Sequence, residues 1–207
     1  MKKILLLLSL CAFFNLKAQV TANNPSPIIV CDVVTFGDET EPFDLTSRED
    51  EIIGGQTNVV VTFHPTSGDA LGGQNAFPDP ESYINTGNPQ LIFVRVTSTL
   101  NGDWQVTTMD LEVLPTIATA PENIYVPDED LDGFTEFDLT ANEIAMIDGQ
   151  DPTNFIFSYF EAEADCEANM NQLLDPANYQ NITNPQTLYV RVERLDNGCV
   201  FCESFQI

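Results

Sequence analysis

The run Asp128-Glu129-Asp130-Leu131-Asp132-Gly133 carries carboxylates at its first, third and fifth positions and glycine at its sixth. Calcium is held by oxygen ligands in that spacing, and the glycine permits the sharp turn that brings them round. Asp128, Asp130 and Asp132 are therefore candidate Ca2+ ligands. Position twelve, where such loops supply a bidentate glutamate, is Leu139, and no flanking helices are expected. A solvated acidic turn accounts for the same residues, and both readings stand here.

The cysteines offer a second kind of chemistry. Cys199 and Cys202 form a C-x-x-C, which can signal redox activity or a metal. A thioredoxin-like site needs that motif at the start of a helix. Here Asn197-Gly198 reads as a hairpin turn, and Cys199 leads into a strand. Structural disulfides among Cys31, Cys166, Cys199 and Cys202 are the expectation. Cys166 is expected to pair with Cys199 or Cys202, closing a loop of about 33–36 residues worth roughly 3–4 kcal/mol. A Cys31 linkage between the two halves of the chain would contradict that pairing logic.

Catalytic patterns are not found. His64 is the single histidine, and the chain has no G-x-S-x-G, no H-E-x-x-H and no glycine-rich phosphate loop. With 32 acidic residues, no carboxylate pair for glycoside hydrolysis stands out from the rest. The expectation is a protein that is not an enzyme. Asn181-Ile182-Thr183 matches a glycosylation acceptor.

These residues lie on a duplicated scaffold. Residues 79–96 read DPESYINTGNPQLIFVRV and residues 175–192 read DPANYQNITNPQTLYVRV. A fixed period of this kind marks two copies of one unit. Phe43-Asp44-Leu45-Thr46 likewise returns as Phe137-Asp138-Leu139-Thr140, with Glu49 and Glu143 three residues beyond. The T-x-x-E spacing predicts a capping box and one or two helical turns. Copy one repeats the acidic run only as Asp38-Glu39-Thr40-Glu41.

Apolar alternation predicts core strands over Val59–His64 and Phe155–Phe160, and over Leu91–Ser98 and Thr187–Arg194. Ile92, Val94 and Val96 share one face, as do Leu188, Val190 and Val192. Arg95 and Arg191 lie on the other, read as outward arginines over an aromatic and paired with a carboxylate. Opening strands are expected over Ile28–Val30 and Val33–Phe36. Asn101-Gly102 and Asn197-Gly198 predict hairpins into closing strands Trp104–Val113 and Val200–Ile207. A polar loop of over twenty residues precedes each Asn-Pro-Gln, a fair place for function.

The count of about seven short strands per copy predicts an all-β chain of two tandem immunoglobulin-like (fibronectin-III-like) β-sandwich domains. The expected boundaries are signal peptide 1–19, first sandwich 20–114, linker 115–121 and second sandwich 122–207. Lys2 and Lys3 precede an apolar run from Ile4 to Phe14, too short to span a bilayer, with a cut expected near Ala18–Gln19. A lipoprotein signal at Cys11 is the alternative, with Leu10 standing where a small residue is wanted. After cleavage, Arg48, Arg95, Arg191 and Arg194 face 32 acidic residues, a net charge of −28. Such a chain repels nucleic acid and anionic membranes and attracts divalent cations.

F-D-L-T, the long loop, Asn-Pro-Gln, Y-V-R-V and Asn-Gly-Cys together resemble repeats of very large secreted surface proteins of gliding Bacteroidota. Those proteins are gliding-motility-associated or adhesin-like and often carry a type IX secretion sorting domain. The resemblance implies export, surface display and adhesion to a cell-surface or extracellular polysaccharide or protein. It also implies a fragment of a longer adhesin-like protein or a short product of general export. A calcium-dependent carbohydrate-binding module attached to a secreted enzyme is the alternative. In such repeats Cys-Asp often stands in the opening strand and a Cys follows the late hairpin glycine. Copy one has Cys31-Asp32 but Asp103, and copy two has Cys199 but Tyr125 near the opening position.

Overall fold

The computed structural model describes residues 19–207, so the proposed signal segment, Gln19 apart, lies outside the described residues. Domain one comprises β1 (Ile28–Cys31), β2 (Pro42–Phe43), α1 (Glu49–Ile53), β3 (Val59–His64), α2 (Ser67–Gly72), β4 (Tyr83–Ile84), β5 (Gln90–Ser98) and β6 (Trp104–Leu114). Domain two comprises β7 (Glu136–Phe137), α3 (Glu143–Ile147), β8 (Phe155–Phe160), α4 (Glu163–Ala168), β9 (Tyr179–Gln180), β10 (Thr187–Arg194) and β11 (Val200–Gln206). Domain one has a sheet in the order β1-β6-β5-β3, and domain two one in the order β11-β10-β8. Neighbours run antiparallel except β1, which lies parallel to β6. The chain is all-β in two tandem domains.

One face of each sheet is the core. Ile92, Val94 and Val96 are fully buried on β5, as are Leu188, Val190 and Val192 on β10. Period-two alternation puts each trio on one face, and each such side chain contributes about 1.5–3 kcal/mol by burial. The covering layer is slight. It consists of the two-stranded pair β2–β4 or β7–β9 and one helical turn, which bury Phe43, Leu45 and Ile52 in domain one and Phe137, Leu139 and Met146 in domain two. Domain one therefore has six strands and domain two five, fewer than the seven expected. Val33–Phe36 is loop and not strand, because its side chains turn away to the other domain, as described below.

Local chemistry sets the turns. Asp44 Oδ1 accepts from Thr46 N at 2.9 Å, and Asp138 Oδ1 from Thr140 N at 3.0 Å. The cap is thus the aspartate of F-D-L-T and not the expected Thr-x-x-Glu box, because a 3-10 turn begins two residues earlier, at Leu45 and Leu139. Glu143 serves another purpose, accepting from the Tyr159 hydroxyl at 3.0 Å. Burial raises the pKa of both groups.

The repeated Tyr, Asn and Gln residues share one hydrogen-bonding pattern. Asn85 accepts from Glu41 N at 2.7 Å and donates to Glu39 O and Gly87 O. Asn181 accepts from Thr135 N at 2.7 Å and donates to Gly133 O and Thr183 O. Gln90 and Gln186 donate to the hydroxyls of Tyr83 and Tyr179. Each asparagine thereby fastens the entry loop to the β4 or β9 turn. Asn181 is buried and its amide is occupied, so its acceptor motif serves the fold. The long loops are not structureless either, since they carry α2 with β4, and α4 with β9.

Candidate functional site

Asp128, Asp130 and Asp132 do come together, with one oxygen of each within 4.8 Å of the others. Asp128 Oδ1 accepts from Leu131 N and Oδ2 from Gly133 N, at 2.9 and 2.8 Å. Asp132 Oδ1 accepts from Phe134 N at 2.8 Å. The Gly133 amide, first among several donors, holds the Asp128 carboxyl below its ordinary range. The loop is exposed, with Leu131 pointing into solvent. Chemically it is an anionic turn able to take a hard cation.

Its counterpart in domain one is Asp32–Gly37, and not the expected Asp38-Glu39-Thr40-Glu41. Asp32 Oδ2 accepts from Gly37 N at 2.7 Å, the bond that Asp128 makes to Gly133 across the same five residues. Two extra residues then separate Gly37 from Phe43, which displaced the sequence alignment. Where domain two has Glu129, Asp130, Leu131 and Asp132, domain one has Val33, Val34, Thr35 and Phe36. Val33 and Phe36 pack against the core of domain two, and the Phe36 ring lies 5.0 Å from that of Phe201. The turn is thus a wedge between the domains.

Several interactions close this junction. Cys31, next to the wedge, is disulfide-bonded to Cys199 across 168 residues, with Cα atoms 5.8 Å apart. Ile117 from the connecting segment is buried in the core of domain two. Ala118 N donates to Met146 O at 2.8 Å, and Asn197 Nδ2 to Pro115 O at 2.7 Å. Arg194 holds Asp196 through Nε and Nη2 and reaches Thr116 O and Gln150 Oε1 with Nη1. The Thr116 hydroxyl donates to Asp32 O. The connecting segment read as a linker is thus largely packed, and Thr116 and Ile117 are both buried.

Cys166 pairs with Cys202 across 36 residues, one of the two partners expected for it. The Cys31 linkage between the halves, held to contradict the pairing logic, forms beside it. The reason is geometric. Side chains three apart along a strand face opposite ways, so Cys202 turns to α4 while Cys199 turns to the junction. The same geometry keeps Cys199 and Cys202 from pairing with each other as a redox C-x-x-C would. The opening-strand cysteine of one domain is thus bonded to the late-hairpin cysteine of the other. The position equivalent to Cys31 is Pro127 and not Tyr125, and the one equivalent to Cys199 is Asp103.

Arg95 stacks on Trp104 with its Cζ 4.2 Å from the ring centre and donates to Ala70 O and Leu71 O at the end of α2. Arg191 donates to Cys166 O in α4. The aromatic part of their reading holds for Arg95, but the partners are helix-end carbonyls where a carboxylate was expected. A cation suits that helix end. His64 is buried, with Nδ1 against Gln74 O at 2.6 Å and Nε2 against the Thr62 hydroxyl.

Two small all-β domains joined by an inter-domain disulfide define a class of architecture. Residues 27–117 and 123–207 each match the Flavobacterium inter-domain disulphide bond domain, FIDD, and the chain belongs to that family. None of the curated proteins matches it. The junction itself escaped sequence reasoning. Its available signal was the apolar Val33–Phe36 stretch beside Cys31, with one cysteine in each copy.

Proposed function

We propose that this protein is an exported, non-catalytic surface module that holds its attachments at a fixed spacing and orientation. The observation that carries this reading is the junction. A disulfide, an apolar wedge and a buried connecting segment fasten two domains that tandem linkage alone would leave free to swing. The lack of lysine after residue 19 and the acidity suit a soluble exterior surface. Association with gliding motility, type IX secretion and adhesion belongs to the same reading, with an extracellular polysaccharide or protein as partner.

Small-angle scattering of the oxidised protein tests the spacer. One compact, fixed two-domain envelope is expected, widening in Cys31→Ser/Cys199→Ser. A profile that demands a broad ensemble in the oxidised protein would defeat it. Hydrolase activity lost on changing one Asp or Glu would defeat the non-catalytic part.

A second reading, a calcium-dependent carbohydrate-binding module, is favoured by the grouping of Asp128, Asp130 and Asp132. Domain one bears against it, because the same Asp-to-Gly hydrogen bond forms there without the other acids. Calcium-dependent retention on polysaccharide, lost in Asp130→Ala, is the result that would select it.

A further inference from the structure

The wedge loop contains a carboxylate in an unusual position. Asp32 is 1 % exposed, and its Oδ1 has no hydrogen-bond partner although Oδ2 accepts from Gly37 N. Glu41, in the same loop, is 3 % exposed, and its Oε1 takes the amides of Val33 and Val34. Across the junction, Glu203 lines a groove with Val34, Phe36, Ala118 and Thr119. The cation of the junction, Arg194, is already held by Asp196. Asp38, Glu39 and Glu41 in the same loop and Glu203 across the junction are the further acidic groups near the wedge, and no guanidinium pairs with Asp32.

A buried carboxylate with no counter-charge and an unfilled oxygen is costly to ionise. We propose that Asp32 makes the domain junction an acid-tightened clasp, in which a proton on its carboxyl group seats the wedge and loss of that proton loosens it. Burial, the largest influence, raises the Asp32 pKa, and Asp38 and Glu41 add to the rise against the Gly37 and Glu39 amides. Burial raises that of Glu203 as well. A carboxyl raised on folding stabilises the folded state fully below the ordinary aspartate range. That contribution is lost as pH rises through the raised value. The direction is opposite to ordinary acid unfolding. The equivalent Asp128, half-buried and hydrogen-bonded at both oxygens, has no such role.

The test is hydrogen exchange of the Val33, Val34, Gly37 and Ala118 amides from pH 4 to pH 8, corrected for intrinsic rates, on the oxidised full-length protein. Opening is expected to increase with pH, tenfold for each pH unit separating the folded and unfolded Asp32 values. In Asp32→Asn the profile should flatten, and in Asp110→Asn, an exposed carboxylate of β6, it should stay as in the parent. A parent profile as flat as that of Asp32→Asn would overturn the proposal. Titration of the Asp32 carboxyl carbon by NMR gives an answer that needs no variant. A midpoint above that of ordinary aspartate is expected, and one at or below it would overturn the clasp.

Discussion

The turns Asp32–Gly37 and Asp128–Gly133 share one hydrogen bond, from the closing glycine amide to the opening aspartate, yet they differ in backbone and in surroundings. Four intervening residues decide the outcome. Val33 and Phe36, both half-buried, pack the first turn against the second domain, while Glu129, Asp130 and Asp132 keep the other in water. The aspartate that opens each turn follows its surroundings. Burial raises the Asp32 pKa, and amide donors lower that of Asp128. The scaffold thus supplies a turn, and the side chains assign it to an interface or to solvent.

The largest expected effect lies at the disulfides. In the chain-entropy model, the bond closing 168 residues is worth about 5 kcal/mol and the one closing 36 about 4 kcal/mol. Cys31→Ser/Cys199→Ser should therefore split one cooperative unfolding transition into two, whereas Cys166→Ser/Cys202→Ser should lower only the transition of domain two. Calorimetry distinguishes the cases, and a single unchanged transition in the first variant would count against a coupled junction.

Next in size is the buried connector. Ile117→Ala removes a side chain that domain two buries fully and should cost about 2–5 kcal/mol. Leu131→Ala, in the exposed turn and 87 % accessible, should change stability by less than about 0.5 kcal/mol. Denaturant titration checks both, and equal losses would erase the distinction between the turns.

Calcium sharpens the comparison from the other side. Under the calcium reading, a hundredfold excess over its dissociation constant stabilises the fold by about 2.7 kcal/mol. Asp130→Ala and Asp132→Ala would each reduce that gain. Under the spacer reading, melting midpoints agree in calcium and sodium at equal ionic strength.

The smallest effect is that of pH on the exposed turn. The Asp128 pKa is lowered on folding, so its contribution is present above the ordinary aspartate range and lost as pH falls through the depressed value. Exchange of the Leu131 and Gly133 amides should quicken there after correction for intrinsic rates, the reverse of the trend at Asp32.

Much of the fold was legible because it rests on period-two burial. The spans Val59–His64, Phe155–Phe160 and Thr187–Arg194 match their strands, and the β5 and β10 core trios lie as read. The three acids of the candidate site were legible as well, since they lie within five residues. The junction was not. Val33–Phe36 is apolar and β-branched like a strand, and a sequence carries no sign that its apolar partner belongs to another domain. The cap was misread for a related reason, because Asp and Thr both cap and only the backbone decides which begins the turn.

The fastening of the two domains through Cys31 and Cys199 can be read from mass spectrometry of peptides from the unreduced protein. One linked pair containing Cys31 and Cys199 and another containing Cys166 and Cys202 are expected. Cys31 recovered as a free thiol, or Cys199 joined to Cys166, would contradict it.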